Sequence, residues 1–158
     1  MDDCCCPGVS DGSPPRACPR CHVNGAVVEL QTVKALLTER ALTRLAVTHH
    51  RFCSNDICEV VYFDDERRTF DTSDIRVAVW QKEPSGGRLI CYCFGETETS
   101  MRTELETTGH SGAVQRVRAH IAARRCACDI RNPRGSCCLG DLTAAVQRLQ
   151  SAGSRGTT

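Results

Sequence analysis

Thirteen cysteines in 158 residues carry most of the chemistry that this sequence offers. Six of them lie in one stretch, residues 90–149, which Cys91-Tyr-Cys93 opens and a cysteine-rich segment, 126–138, closes. An iron–sulfur cluster is typically held by four cysteine thiolates. Thiols presented from turns at the ends of helices satisfy that requirement. We therefore expect a redox-active iron–sulfur centre in this stretch.

A second set of cysteines lies earlier in the chain and has the spacing of a zinc site. Cys18 and Cys21 form a C-x₂-C pair, and Cys53 and Cys58 form a C-x₄-C pair with turn-forming residues between them. Two such pairs a few tens of residues apart supply the four sulfurs of a closed, tetrahedral structural zinc site. His22 is a substitute ligand, but the adjacent Cys21 is the better one.

The remaining cysteines have several interpretations. Cys4, Cys5 and Cys6 follow one another near the N-terminus. Two of them could capture a soft ion such as Cu(I); alternatively, all three are incidental residues of a tail. Cys126 and Cys137 lie beside the expected cluster ligands, where they are second thiols near the cluster, alternative ligands or transient metal-capture groups.

Disulfides are a poor explanation of these cysteines. Their number is odd, the first residues lack the basic and apolar regions of a secretory signal, and no apolar run is long enough to cross a membrane. Cytosolic proteins keep thiols reduced, so close cysteine pairs in them usually bind metal. The sequence indicates a cytoplasmic metal protein. Because hydrolytic and nucleophilic motifs are absent from it, we expect no enzyme activity.

Two small units joined by a linker are expected to position the thiols. The first unit, 18–82, is predicted to be a zinc-bound α+β module. Its predicted helix begins at the N-cap Thr32. Its predicted strands are 25–30, 59–63, 69–70 and 75–80.

The second unit, 89–150, follows a linker at 83–88 that is rich in proline and glycine, and is predicted to be entirely helical. Thr97, Ser111 and Asp141 are the expected N-caps of three helices. The thiols lie at the turns between these helices, giving a helix-turn-helix module that closes on a metal centre. Residues 1–17 and 151–158 are expected to be flexible tails.

Charge is distributed unevenly although the net charge is only +1. Between residues 111 and 158 there are eight arginines and two acids. Some of these arginines could offset the negative charge of a thiolate-bound cluster; alternatively, they form a solvated helical face. Aromatic residues for base stacking are scarce, so we do not expect nucleic-acid binding through this half.

The second unit resembles the [2Fe–2S] domain of the bacterioferritin-associated-ferredoxin-like family. That family has a C-x-C pair, a long gap and then a C-x₂-C pair. Here 34 residues separate Cys93 from Cys128. The closing pair departs from the pattern, since nine residues separate Cys128 from Cys138.

Residues 17–149 are similar, more specifically, to the N-terminal domain of CopZ-type copper chaperones. The motifs that carry the resemblance are Val33-Lys-Ala-Leu-Leu, Arg51-Phe-Cys, Cys58-Glu-Val-Val-Tyr-Phe, Cys91-Tyr-Cys-Phe-Gly and Asn132-Pro-Arg-Gly-Ser-Cys-Cys-Leu-Gly-Asp. The resemblance implies one zinc ion and one [2Fe–2S] cluster. The implied zinc ligands are Cys18, Cys21, Cys53 and Cys58. The implied cluster ligands are Cys91, Cys93, Cys128 and Cys138, and spacing alone does not exclude Cys137 in place of Cys138.

The resemblance also implies a function in copper handling. The leading hypothesis is that cluster electrons reduce Cu(II) to Cu(I), or keep thiols reduced, before the metal passes to a metal-transporting ATPase. Another soft ion such as mercury could replace copper. The copper-carrying Met-x-Cys-x₂-Cys loop of such chaperones is absent from this sequence. The alternative hypothesis is therefore a ferredoxin-like electron-transfer module that serves a redox partner without copper, and a zinc-only module is a third.

Overall fold

The first unit is built on a four-stranded antiparallel sheet. A computed structural model describes residues 15–154. The strands are β1 (Ala26–Val28), β2 (His50–Phe52), β3 (Val60–Asp64) and β4 (Thr69–Asp71), and they lie in that order. Every residue of the β-branched and aromatic strand β3 is buried. This strand is consequently the centre of the first core.

Two short helices replace the single helix that was predicted from Thr32. Helix α1 is Leu30–Leu36, helix α2 is Glu39–Leu42, and Leu37 lies between them in an extended conformation. Leu37 forms an isolated antiparallel bridge with Ile75, and the N–H of Thr38 donates to the carbonyl of Asp74 at 2.8 Å. These tertiary bonds interrupt the helical hydrogen bonding. Thr38, rather than Thr32, caps a helix through its side chain.

The predicted strand at 75–80 is wrong. Only Ile75 makes a bridge, and the segment ends in a 3₁₀ turn at Trp80–Lys82. The physical reason is that Trp80 packs against the second core, the buried cluster of the second unit that includes Ile90, Met101 and Leu142. Strand β2 was not predicted, because two of its three residues, His50 and Arg51, are polar. The burial of His50 in the strand could not be inferred from the sequence.

The predicted linker at 83–88 is tied to the second unit by a buried carboxylate. Glu98 accepts hydrogen bonds from the N–H of Gly86 at 2.7 Å and from Nε of Arg88 at 2.8 Å. The guanidinium of Arg88 also lies over the ring of Trp80, 5.2 Å from its centroid. The two units are thus joined by packed contacts rather than by a free linker.

The second unit begins with a small antiparallel hairpin, so the prediction of an entirely helical unit is wrong. Its strands are β5 (Leu89–Cys91) and β6 (Glu96–Thr97). Gly95 adopts a left-handed conformation with φ of 72°, which lets the chain reverse within a few residues. Its N–H donates to the carbonyl of Cys91 at 2.9 Å. The turn places Cys91 and Cys93 close together, at the end of β5 and in the reversal that follows it.

Four helices complete the second unit: α3 (Glu98–Thr108), α4 (Ala113–Ala122), α5 (Cys128–Arg131) and α6 (Leu139–Ser154). Thr97 caps α3 in a capping box with Ser100, as predicted. Ser111 and Asp141 are not N-caps, because α4 begins after Gly112 and Asp141 lies within the first turn of α6.

The boundaries of the predicted tails also differ from the structure. Helix α6 continues to Ser154, so the segment expected as a tail from residue 151 begins inside a helix. At the other end, the carbonyl of Arg16 accepts a hydrogen bond from the N–H of Gly25, and Ala17 forms a bridge with Asn24, so the chain is ordered before residue 18. None of the helices within residues 15–154 is both long enough and apolar enough to span a bilayer.

Candidate metal centres

The four cysteines of the first unit converge on one point. The Sγ atoms of Cys18, Cys21, Cys53 and Cys58 all lie within 4.8 Å of one another. The distance is 4.0 Å between Cys18 and Cys58 and 3.5 Å between Cys21 and Cys53. A tetrahedral zinc with Zn–S bonds of about 2.3 Å needs sulfurs about 3.8 Å apart. The set therefore fits a mononuclear zinc ion.

Local backbone geometry aims these thiols at the common centre. His22 adopts a left-handed conformation with φ of 62°, which closes the turn after the first pair. The thiols of Cys21, Cys53 and Cys58 each accept a hydrogen bond from the backbone N–H two residues further on. Such N–H donors stabilise thiolates, the form that binds metal. Three of the four thiols are buried, against Val60 and Phe63.

The thiols of this set differ in acidity. Burial raises the pKa of Cys53 to about 12. For Cys21, burial is outweighed by hydrogen bonds from Val23, from the Asn55 side chain and from neighbouring thiols, which lower its pKa to about 6. One thiolate is thus available near neutral pH, and a metal ion must displace protons from the others.

The cysteines of the second unit form two close pairs. Cys93 and Cys128 lie with their Sγ atoms 3.7 Å apart. The thiol of Cys91 interacts with that of Cys138. Within residues 15–154, only the first unit's thiols form a group of three or more metal-ligating side chains whose ligand atoms are all within 4.8 Å of one another. The second set is therefore more extended than a mononuclear tetrahedral site.

Backbone N–H groups point at three of these sulfurs. The N–H of Ala127 donates to Sγ of Cys93 at 3.2 Å. The thiol of Cys91 accepts from the backbones of Phe94 and Cys93, and that of Cys128 accepts from the backbone of Cys138. Hydrogen bonds to sulfur are one of the ways in which proteins stabilise and tune iron–sulfur clusters. This donor set fits a thiolate-bound cluster.

Acidity in the second set is also split. A hydrogen bond from Cys138, opposed by burial, lowers the pKa of Cys91 to about 6. Burial raises the pKa of Cys128 to about 12. The interaction with Cys91, together with burial, raises the pKa of Cys138. The contact thus favours the thiolate of Cys91 and the protonated thiol of Cys138, whose proton a bound metal would displace.

Cys138 and its neighbour Cys137 differ in burial. Cys138 is 2% exposed and packs in the second core with Cys91, whereas Cys137 is exposed. Cys126 is exposed as well. Cys4, Cys5 and Cys6 lie outside the described residues.

The loop between Cys128 and Cys138 contacts the first unit, which spacing did not reveal. The buried hydroxyl of Tyr62 donates to the carbonyl of Pro133, and the hydroxyl of Thr32 donates to the carbonyl of Asp129 at 2.5 Å. No local sequence pattern could have shown this contact, because Tyr62 and Pro133 lie 71 positions apart.

Two arginines of this half form ion pairs within the second unit. Arg116 forms ion pairs with the buried Glu96 and with Glu104, and Arg134 pairs with Asp141 at 3.0 Å. These arginines therefore neutralise carboxylates of the unit itself.

Comparison with known proteins identifies the family. A family model described as a zinc binding domain, that of CopZ, matches residues 15–76. The solved structure of the CopZ N-terminal domain from Archaeoglobus fulgidus superposes with a TM-score of 0.66 and 30% identity, over 81% of this chain and 95% of that one. The chain belongs to the CopZ family. The resemblance inferred from the motifs is thereby confirmed for CopZ, and the four thiols of the first unit lie inside its zinc-binding domain.

A full-length member of the CopZ family gives the extent of the match. The copper chaperone CopZ of Archaeoglobus fulgidus is 32% identical over 121 residues, which are 77% of this chain and 57% of the relative. The chain thus spans little more than half of that CopZ protein. The ferredoxin-like resemblance of the second unit stays a prediction.

Proposed function

We propose that this chain is a cytoplasmic metal-handling protein that contains one structural zinc and one redox-active [2Fe–2S] cluster and takes part in copper trafficking. The observation that carries the proposal is the difference between its two thiol sets. One set is compact and mostly buried, and the other is divided into two close pairs. A structural ion suits the first arrangement, and a two-iron cluster suits the second.

The zinc site has a structural role in this proposal. Its ligands come from the turn before β1, the segment after β2 and the segment before β3, so one ion ties together three adjacent strands at the same end of the sheet. The first core is small, and metal binding adds folding free energy to domains of this size. Zinc has no redox chemistry, so electron transfer falls to the second site.

The second site provides two thiols for each iron of a [2Fe–2S] cluster. We assign Cys91 and Cys138 to one iron and Cys93 and Cys128 to the other, because each pair is already in contact. A bound cluster supplies one electron at a time. The protein itself holds the four thiolates in place. Backbone N–H groups donate to three of the four sulfurs, and burial excludes water from the Cys91–Cys138 pair.

Copper is the substrate that the relative's name suggests, since that protein is a copper chaperone. Reduction of Cu(II) to Cu(I) takes one electron, which is the capacity of one cluster. Cu(I) prefers thiolate ligands, and Cys4, Cys5 and Cys6 are candidates to receive it before transfer to a metal-transporting ATPase. Reduced thiols require a reducing compartment, which supports placement in the cytoplasm.

A ferredoxin-like electron-transfer module is the second candidate function. It is favoured by the partial exposure of Cys93 and Cys128, which brings one side of the site close to the surface. In this alternative the electron goes to a protein partner and copper has no part.

The copper hypothesis is tested by mixing anaerobically reduced protein with Cu(II) and the Cu(I) chelator bicinchoninate. We expect the visible absorbance of the reduced cluster to change in step with rapid formation of the Cu(I) complex, while a Cys128→Ser variant, which lacks one proposed ligand, forms only the Cu(I) that its free thiols generate. Oxidation of the cluster by a protein partner, with no Cu(I) formed, would favour the electron-transfer alternative. Removal of residues 1–14 should abolish Cu(I) retention but not reduction.

A further inference from the structure

The second thiol set has one closed side and one open side. Cys91 and Cys138 are 0% and 2% exposed, whereas Cys93 and Cys128 are both partly exposed. A cluster held by these four residues, as proposed above, therefore comes nearest to solvent at the Cys93–Cys128 pair. Electrons enter or leave most readily where the protein layer is thinnest.

Basic and aromatic side chains are contiguous with this open side. Phe94, next to Cys93, stacks on His120 with ring centroids 3.9 Å apart. Nδ1 of His120 lies 3.5 Å from a guanidinium nitrogen of Arg125. Arg124 follows the end of α4 in a left-handed conformation, with φ of 57°. The segment then turns directly to Ala127, whose N–H contacts Cys93.

The far end of the same segment adds an apolar and a basic residue. Helix α5 begins at Cys128 and carries Ile130, which is 41% exposed, and the exposed Arg131. The one acid here is the exposed Asp129, so the three arginines of this segment exceed its acids by two. We call Phe94, His120, Arg124, Arg125, Ile130 and Arg131 the basic face.

Arginines of the basic face differ from many others in the molecule. Seven arginines within residues 15–154 form ion pairs with carboxylates: Arg20, Arg44, Arg68, Arg76, Arg88, Arg116 and Arg134. Over the same part of the chain, Arg124, Arg125 and Arg131 form none. Three unpaired positive charges around one partly exposed redox site are suited to an external anion.

We propose that the basic face is the docking surface for an acidic protein that exchanges electrons with the second site. Opposite charges steer such a partner, and the exposed Ile130 with the partly buried Phe94 gives an apolar centre to the contact. This proposal rests on the proposed function, because it assumes that the second thiol set binds a redox-active cluster. One electron passes between the cluster and the partner, and no bond is made or broken.

The charge near the cluster is measured with small one-electron oxidants of opposite sign. The reduced holoprotein is mixed with hexacyanoferrate(III), an anion, or tris(phenanthroline)cobalt(III), a cation, and cluster oxidation is followed in a stopped-flow instrument. We expect the rate with the anion to fall about tenfold as ionic strength rises from about 10 mM to about 500 mM. The rate with the cation should rise or stay constant.

Two variants with the same net charge separate the basic face from the charge of the whole chain. In Arg124→Gln/Arg125→Gln/Arg131→Gln the rate with the anion at low salt should fall about tenfold and lose its salt dependence. The control, Arg16→Gln/Arg40→Gln/Arg67→Gln, removes three exposed arginines from the N-terminal half of the chain that form no described ion pair. It should behave like the wild type. Equal slowing of both variants would overturn the proposal.

Binding is measured separately, without electron transfer. Fluorescent poly-L-glutamate is titrated with each protein, and the variant of the basic face should bind at least about fivefold more weakly than the control. Tighter binding of a short duplex DNA than of poly-L-glutamate would assign the face to nucleic acid and contradict the proposal. Protein without iron and sulfide refutes the proposed function, whereas a cluster with charge-independent kinetics refutes only the docking surface.

Discussion

The buried hydroxyl of Tyr62, on β3 of the first unit, donates a hydrogen bond to the carbonyl of Pro133 in the loop between two proposed cluster ligands. Pro133 and its neighbour Asn132 are themselves buried. The Asn132 side chain donates to the carbonyl of Ser136 at 2.8 Å, which holds the loop in a closed turn. The first unit thus packs against the loop that joins Cys128 to Cys138.

Removal of the Tyr62 hydroxyl should weaken the contact between the first unit and this loop. In Tyr62→Phe the Pro133 carbonyl loses its donor while still buried, which costs about 1–3 kcal/mol. Urea unfolding should show this loss of stability. Hydrogen exchange should accelerate at residues 129–137 more than in the sheet.

Thr32→Val provides a second variant for the same contact, because the Thr32 hydroxyl donates to the carbonyl of Asp129 in this loop. Its matched control is Thr43→Val, which removes an exposed hydroxyl that bonds only to the nearby Arg40 carbonyl. Unchanged exchange at 129–137 in both Tyr62→Phe and Thr32→Val would show that the two units do not support each other.

Gly135 is predicted to be essential for the same loop. Its φ is 71°, and an added Cβ would lie 2.9 Å from Oγ1 of Thr32. Gly109 has a similar φ of 73° but open space around the Cβ position. Gly109→Ala should therefore carry only the conformational cost, of about 1 kcal/mol, and Gly135→Ala should lose at least about 1 kcal/mol more. Equal losses of stability in the two variants, measured by thermal unfolding, would contradict the close packing of Thr32 on the loop.

The metal-binding pattern was readable from the sequence because paired cysteines are local. Spacing and turn residues placed Cys18, Cys21, Cys53 and Cys58 in one set, and the structure brings their sulfurs together. The cap Thr97 was readable for the same reason. By contrast, the Tyr62–Pro133 contact joins residues 71 positions apart, and no local pattern encodes it. Strand β2 was missed because tertiary burial of His50 overrides its polar character.

His50 should make the first unit less stable in acid. Burial lowers its pKa, although Thr48 and the carboxylates of Asp64 and Asp65 partly oppose this. The neutral ring is therefore favoured in the folded state, while the unfolded chain takes up a proton below about pH 6.5. Stability should be maintained above that pH and should fall, by up to about 1.4 kcal/mol per pH unit, as the pH drops below it.

The matched variants for this prediction are His50→Gln and His49→Gln. His49 is exposed and pairs with Asp65. Urea unfolding between about pH 7 and pH 5.5 should show a shallower decline for His50→Gln than for the wild type or His49→Gln. Parallel curves for all three proteins would mean that His50 is not the responsible group.

Cys137 and Cys138 should differ sharply in their effect on the second metal. Cys138 is buried beside Cys91, and Cys137 is exposed. We expect Cys138→Ser to lose the visible iron–sulfur absorption and Cys137→Ser to keep it, with zinc retained in both. If Cys138→Ser kept the absorption and Cys137→Ser lost it, Cys137 rather than Cys138 would be the cluster ligand.

Metal analysis of anaerobically purified protein tests the central claim most directly. Visible and circular dichroism spectra are recorded together with zinc, iron and acid-labile sulfide contents. The account predicts a red-brown protein with a zinc-to-iron-to-sulfide ratio of about 1:2:2. A colourless protein with about two zinc ions per chain, even after reconstitution with iron and sulfide, would contradict it.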